Sequence, residues 1–174
     1  DGWEGSFRAG ALWHASEALS LRMAGYTGFR LPTLNELYRG FTVFPVETRA
    51  NPALKAEKLK GVEAGLELTP VSGVRLSATA FYNRLDNAIA NVTLIPNALR
   101  ERQNVDRIVA RGVELSGDVA LGQVHLTASW AFTDSKVHDA GDLDRQIPAQ
   151  SPRHMASAGL SWEPVKGGSI GARL

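Results

Sequence analysis

The 174-residue chain contains no cysteine. That excludes disulfides, thiolate catalysis and cysteine-ligated metal centres, and it suits an oxidising compartment where unpaired thiols are a liability. No stretch approaches the roughly 18–20 consecutive apolar residues of a membrane-spanning helix. No basic segment followed by an apolar core opens the chain, so no signal peptide is read there. Charge of one sign is missing too: 19 Lys and Arg against 18 Asp and Glu leave a formal net charge of +1. That is too little to draw the whole chain to nucleic acid or to an anionic surface. Aromatics are sparse at 7% and do not interleave with arginine on one face, which argues against a nucleic-acid partner.

Catalytic motifs are equally absent. No Ser stands in G-x-S-x-G, no His-Glu-x-x-His occurs, and Gly167-Gly168-Ser169 lacks the Lys-Ser/Thr of a phosphate loop. His14, His125, His138 and His154 lack the close spacing of a metal set. His138 with Asp139, Asp142 and Asp144 offers only a weak ion site, because the Asp spacing misses the calcium-loop pattern. Asp142 and Asp144 have no partner base, so hydrolase chemistry has no support. The expectation is a non-enzyme without cofactor or metal.

What is present is period two, the signature of strands whose faces meet different surroundings. Val74, Leu76, Ala78, Ala80 and Tyr82 share one face, and Arg75, Ser77, Thr79, Phe81 and Asn83 the other. Val124, Leu126, Ala128, Trp130 and Phe132 oppose His125, Thr127, Ser129, Ala131 and Thr133. The same alternation marks eight strands, near 6–14, 19–29, 59–69, 74–93, 106–121, 124–137, 153–163 and 168–174. Short turns follow residues 14, 69, 121 and 163, whereas long links occupy about 30–58, 94–105 and 138–152. Short turns on one side and long loops on the other is the layout of an outer-membrane barrel. The strands at 74–93 and 124–137 meet or exceed the roughly 9–11 residues that cross hydrocarbon when tilted.

The second face carries Arg22, Glu63, Glu67, Arg75, Glu114, Asp118 and Arg153. So many charges cannot enter a dry core without heavy desolvation cost, whereas a wide polar lumen accepts them. The apolar face is therefore assigned to lipid. Trp13 and Trp162 lie beside short turns, and Tyr82 and Phe132 toward the long links, as an interfacial aromatic belt requires. The chain opens with Asp1-Gly2-Trp3 and not with Met, and Leu174 falls inside an apparent strand, so both ends are expected to be cuts.

The residues Gly28-Phe29-Arg30-Leu31-Pro32-Thr33-Leu34-Asn35-Glu36-Leu37-Tyr38 resemble the barrel motif GFRxPTxxELY of the TonB-dependent outer-membrane receptors. Asn51-Pro52-Ala53-Leu54-Lys55-Ala56-Glu57 is similar to that family's N-P-x-L-K-P-E, with Ala56 departing from the usual Pro. Ala80 to Ile89, with Phe81-Tyr82-Asn83-Arg84, resembles F-Y-N-R-I-D-D-x-I. Asn104 followed by Gly112 and Glu114, and Pro152-Arg153-His154, are similar to later blocks. The resemblance implies an all-β membrane barrel of antiparallel meander strands, of which residues 1–174 form part, the family architecture having 22 strands around a plug. The plug, the TonB-contacting segment and the closing strand are expected to lie outside this sequence.

The function implied is an active-transport receptor for a scarce solute, first of all an iron-siderophore complex, energised through the TonB complex. Haem or cobalamin uptake, a passive porin-like or structural barrel, an outer-membrane enzyme and a soluble β-sandwich are the alternatives. The partners implied are outer-membrane lipid, lipopolysaccharide, TonB and the solute. Candidate ligand contacts in the long links are Arg30, Asn35, Glu36, Tyr38, Arg39 and Arg102. For Asn35, Glu36 and Tyr38, fixing loop geometry ranks ahead of shaping an extracellular mouth. For Arg30, Arg39, Arg49, Arg100, Arg102, Arg107 and Arg111, pairing with Glu36, Glu47, Glu101 and Asp106, or with lipopolysaccharide at the rim, ranks ahead of a ligand role.

Overall fold

The computed structural model describes residues 3–139, 148, 152–165 and 167–174. Eight strands follow one another in space as in sequence: β1 (Phe7–His14), β2 (Leu19–Arg30), β5 (Glu57–Leu68), β6 (Val74–Ile95), β7 (Leu99–Leu121), β8 (Val124–His138), β9 (His154–Val165) and β10 (Gly168–Arg173). All neighbours in this path are antiparallel. Between β2 and β5 the chain forms a short helix, α1 (Leu34–Tyr38), and a small hairpin of β3 (Phe41–Val43) and β4 (Val46–Arg49). The meander matches the eight strands expected from the alternation.

Two expectations are corrected. The link at 94–105 is not a loop, because β6 and β7 run on as a paired ladder to Ile95 and Leu99. The link at 30–58 is not irregular, since it holds α1, β3 and β4. Most of the third link, with Asp142 and Asp144, lies outside the described residues.

Register shows which side chains share a face. Leu66, Ala78, Leu115, Trp130 and Ala156 are successive cross-strand partners, as are Glu67, Ser77, Ser116, Ser129 and Ser157. Among the described residues no second sheet covers the apolar face: Leu76, Leu126 and Leu160 are 42%, 45% and 50% exposed. A soluble domain of this length buries most of its apolar side chains in one core. Here the buried hydrophobics among the described residues are Ala88, Val105 and Val137, packed with Leu85, Ala90 and Ile108 toward the far ends of β6, β7 and β8. Lipid is the solvent that makes such an outward apolar face favourable.

The polar face is organised by side chains that lie across glycine. Tyr26 passes over Gly61 to donate its hydroxyl to Asn83 Oδ1 at 2.9 Å, and a Cβ on Gly61 would strike that ring at 2.3 Å. Arg22 passes over Gly65 to reach Thr79 Oγ1 at 2.6 Å. Each such residue ties three strands together.

The short turns are staggered. Leu19 lies level with Leu76; the next turn-side end, Val74, is two residues further, and Leu121 two beyond Val119, the partner of Val74. Two residues per hairpin is one per strand. At a rise of about 3.3 Å and a strand spacing of about 4.8 Å, that corresponds to a tilt of roughly 35°. This is the tilt of a membrane barrel wall.

At the other end of the apolar face, Trp130, Phe132 and His154 form an aromatic group, with ring centroids 5.2 to 6.5 Å apart. Leu115 is the cross-strand partner of Trp130, one same-face row nearer the turns than Phe132. Replacing it by Arg is expected to destabilise the folded barrel wall in lipid by about 2–4 kcal/mol. Replacing neighbouring Ser116 by Arg, on the polar face, should cost far less. Urea unfolding of the whole protein in bilayers checks the contrast.

Candidate functional site

Every candidate residue from the sequence falls at the far ends of β2, β5, β6 and β7, around the segment 31–56. Pro32 follows the end of β2, and Thr33 caps α1. The Thr33 hydroxyl accepts from Glu36 N–H at 3.2 Å while the Glu36 carboxylate accepts from Thr33 N–H at 2.7 Å, a reciprocal capping box. Thr33-x-x-Glu36 is a helix-start signal present in the sequence, although the segment was expected as a loop.

Arg30 forks between two carboxylates. One amino group meets Glu36 Oε2 at 2.9 Å, and its Nε donates to Glu57. The other oxygen of Glu57 accepts from Ile89 N–H at 2.7 Å, and Glu57 is 7% exposed. A buried carboxylate is tolerable only when paired and hydrogen-bonded in this way. Burial opposes ionisation of Glu36, but the hydrogen bonds from Arg30, Thr33 N–H and the Thr33 hydroxyl outweigh it and hold its carboxyl down at about 2.

Asn104 is the second joint. Its Oδ1 accepts from Lys55 N–H at 2.8 Å, and its amide donates to Lys55 O at 3.1 Å and Asn87 O at 2.6 Å. Asn87 adopts a φ of 54°, a left-handed conformation that Asn tolerates better than most residues. Asn51 donates from Nδ2 to Arg102 O at 2.9 Å, and its N–H donates to Glu36 O at 3.0 Å. Arg102 in turn donates to Asn35 O and Arg39 O and lies 5.4 Å from the Phe41 ring centroid. Finally β4 runs parallel to the tip of β7, pairing Glu47 with Leu99 and Arg49 with Glu101.

The segment is thus latched onto the projecting β6–β7 hairpin. Of the six candidate residues, Arg30, Asn35, Glu36, Arg39 and Arg102 all take part in the latch. Tyr38 is 71% exposed beside it. Of the expected ion pairs, Arg30–Glu36 and Arg49–Glu47, the latter at 3.2 Å, are present. Arg111 pairs with Asp134 on β8 instead of a link residue. Glu57, Asn51 and Asn104 are joints of the latch that the sequence did not reveal, although motif blocks contain each of them. Four of those blocks meet here: the first supplies Arg30 and Glu36, the second Asn51 and Glu57, the third Asn87, the fourth Asn104. No group of three or more metal-ligating side chains occurs among the described residues.

Asn104→Ala removes three hydrogen bonds, two of them to Lys55. It is expected to raise amide exchange of residues 51–57 by about tenfold, on the order of 1.4 kcal/mol, without lowering the unfolding temperature of the barrel. Glu36 gives a pH dependence of definite sign. Its carboxyl is lowered from 4.5 to about 2 on folding. Its contribution to the latch is therefore complete above about 4.5 and disappears as pH falls through about 2. A carbon-13 titration of Glu36 in the whole protein should show a midpoint near 2.

A family model described as TonB dependent receptor-like, beta-barrel, matches residues 1–173. The iron-regulated outer membrane virulence protein of Vibrio cholerae serotype O1 is 28% identical over 170 residues, covering 90% of this chain and 26% of that protein. The vitamin B12 transporter of Photobacterium profundum is 28% identical over 153 residues, covering 86% and 23%. The chain thus spans about a quarter of the length of these curated relatives. A mutant ferric enterobactin receptor from Pseudomonas aeruginosa, in complex with enterobactin, superposes with a TM-score of 0.75 at 20% identity, covering 97% of this chain and 27% of that one. The FrpB iron transporter from Neisseria meningitidis gives 0.70 at 20% identity, covering 97% and 26%. At those identities the two structures share the fold alone. One apolar and one polar face, strands staggered at membrane tilt, and this match along the sequence place the chain in the outer membrane, as β-barrel wall of the TonB-dependent receptor family to which it belongs.

Proposed function

We propose that the chain forms part of the barrel of an energised receptor that imports a scarce solute, with an iron-siderophore complex as the favoured cargo. The observation that carries this reading is the latch. A passive pore needs no rigid outer segment, whereas a ligand site needs side chains held on a firm support. Tyr38 and Phe44, 71% and 94% exposed, stand on the latched segment, and Arg39 follows Tyr38 in the chain. Aromatic rings and a guanidinium suit an anionic aromatic chelate. The names of the Vibrio and Pseudomonas relatives point toward iron, and that of the Photobacterium relative keeps cobalamin as the second reading.

The plug and the segment that meets the TonB complex belong, on this proposal, to the rest of the protein. Backbone groups cannot remain unpaired in hydrocarbon, and β1 and β10 each pair on one side only. Further strands therefore complete the wall. The family and its solved relatives are receptors and transporters, and no catalytic role is assigned to this chain.

Deleting the gene and measuring uptake of ferric chelates, haem and cobalamin is the direct test. Loss of ferric-siderophore uptake alone is expected; unchanged uptake of all three sinks the substrate class. Within the intact receptor, Tyr38→Ala combined with Arg39→Ala should weaken ferric-siderophore binding by about tenfold, the order of one cation–π contact and one charged hydrogen bond. Equilibrium binding with the radiolabelled chelate checks it.

A further inference from the structure

The β6–β7 hairpin outruns the wall beside it. β2 ends at Arg30, opposite Glu57, and β5 begins there, one residue past the Lys58–Asp86 pair. β1 starts lower still, at Phe7, level with Thr27. From Ala88 to Ile95, β6 therefore pairs with β7 alone among the described residues. At about 3.3 Å per residue and roughly 35° of tilt, this stretch rises about 22 Å beyond the start of β5. The opposite edge of the hairpin is already taken. There β4 adds to β7 in parallel, pairing Glu47 with Leu99 and Arg49 with Glu101. One edge has gained a strand from the chain itself, and the other stands open.

The open edge has its donors and acceptors in order. Ile89 N–H points to it, where the Glu57 carboxylate accepts at 2.7 Å. Backbone direction alternates along a strand, so Asn91 and Thr93 aim their N–H and C=O groups the same way. Both residues are exposed. The ladder is regular from Ala88 as far as Thr93, since the register shift falls between Thr93 and Ile95. Strand edges that must stay empty are blunted by lysine, by proline within the strand or by an inward charge. Here no charged residue stands between Asp86 and Arg100, and Pro96 lies past the strand, in the turn. Ile89, Val92, Thr93 and Ile95 are instead residue types that favour strands.

We propose that this edge binds an extended, uncharged peptide segment of a separate protein at the cell surface, adding it as a strand. Main-chain hydrogen bonds along Ile89, Asn91 and Thr93 supply the affinity, and the absence of charge on this stretch selects a neutral strand. Two other occupants fit the geometry less well. A second copy in the same membrane is related by an axis along the membrane normal. Its β6 tilts the opposite way across such a contact, so the two edges cross at roughly 70° instead of aligning. A further strand of the same wall, beyond β1, stands four strand spacings away, about 19 Å. The proposal rests on the outer-membrane placement, and it is independent of which solute is carried.

The test uses the whole protein in detergent and a labelled synthetic peptide, Thr-Val-Thr-Val-Thr-Val-Thr with neutral ends. The parent should bind it at least tenfold more tightly than the same peptide N-methylated at every residue, which keeps the side chains and loses the donors. Binding of both peptides alike, or of neither, would overturn the proposal. Asn91→Pro removes one N–H from the open edge and leaves the bonds to β7 in place, as proline on an edge strand does. That variant should bind the unmodified peptide at least tenfold more weakly, and equal binding by parent and variant counts against the proposal. Amide exchange of the parent gives a second reading that needs no variant to fold. Asn91 and Thr93 should exchange freely in the protein alone, and saturating peptide should slow them at least tenfold. Slow exchange at both before peptide is added would mean that another part of the same protein covers the edge, and the proposal fails. Unchanged exchange on saturation sinks it equally.

Discussion

Hydrocarbon offers no hydrogen-bond partner to a peptide group, and the whole architecture follows from that constraint. Each strand of the wall can satisfy its backbone only through its neighbours, so the ladders run without a break from β1 to β10. Once the backbone is paired, the alternation of Cβ directions sends every second side chain to lipid. Leu66, Ala78, Leu115 and Trp130 are the outcome on one level, and Glu67, Ser77, Ser116 and Ser129 on the level beside it. The stagger of the turns is the geometric counterpart, because a closed sheet needs tilt and tilt needs an offset between neighbours.

The eight strands were legible in the sequence because two unlike solvents imprint a period of two. Legibility failed where that imprint stops. From Arg100 to Asn104 the residues are polar without alternation, and they read as a loop although β7 continues through them. Beyond the membrane both faces of a strand meet water or other protein, so pairing persists while the pattern fades. The outer segment was misread for a second reason. Its Thr33-x-x-Glu36 signal starts a helix of only five residues, too short for a periodic stripe. Its fixed position depends on Asn104 and Glu57, which are distant in sequence from α1, and no local pattern announces that meeting. The motif blocks belong together because Arg30, Glu57, Asn87 and Asn104 meet in the latch.

Two kinds of glue thus hold one chain. In the membrane zone, apolar contact with lipid and side chains laid across Gly61 and Gly65 make a stiff wall. Outside it, a small hydrophobic cluster around Val105 and charge-assisted hydrogen bonds centred on Arg30 and Asn104 do the same work. The second kind suits water, where Val105 and Ala88 gain from burial and ionised groups are cheap to bring together. Loops that act as ligand supports need that firmness, because a site that must first order itself loses affinity in doing so.

The length of the β6–β7 hairpin has a consequence for the cell surface. β6 has 22 residues, and at about 3.3 Å each and roughly 35° of tilt it rises about 60 Å, well over twice the apolar band. Its tip at Asn97, turned by a φ of 57°, therefore stands some tens of ångströms clear of the bilayer by the same arithmetic. A projecting, rigid peptide of this kind is what antibodies and bacteriophages reach first. The tip is tied down as well as exposed, since Ala98 O beside Asn97 accepts from Glu47 N–H at 2.8 Å, so a change of antigenic face there is felt in the segment below.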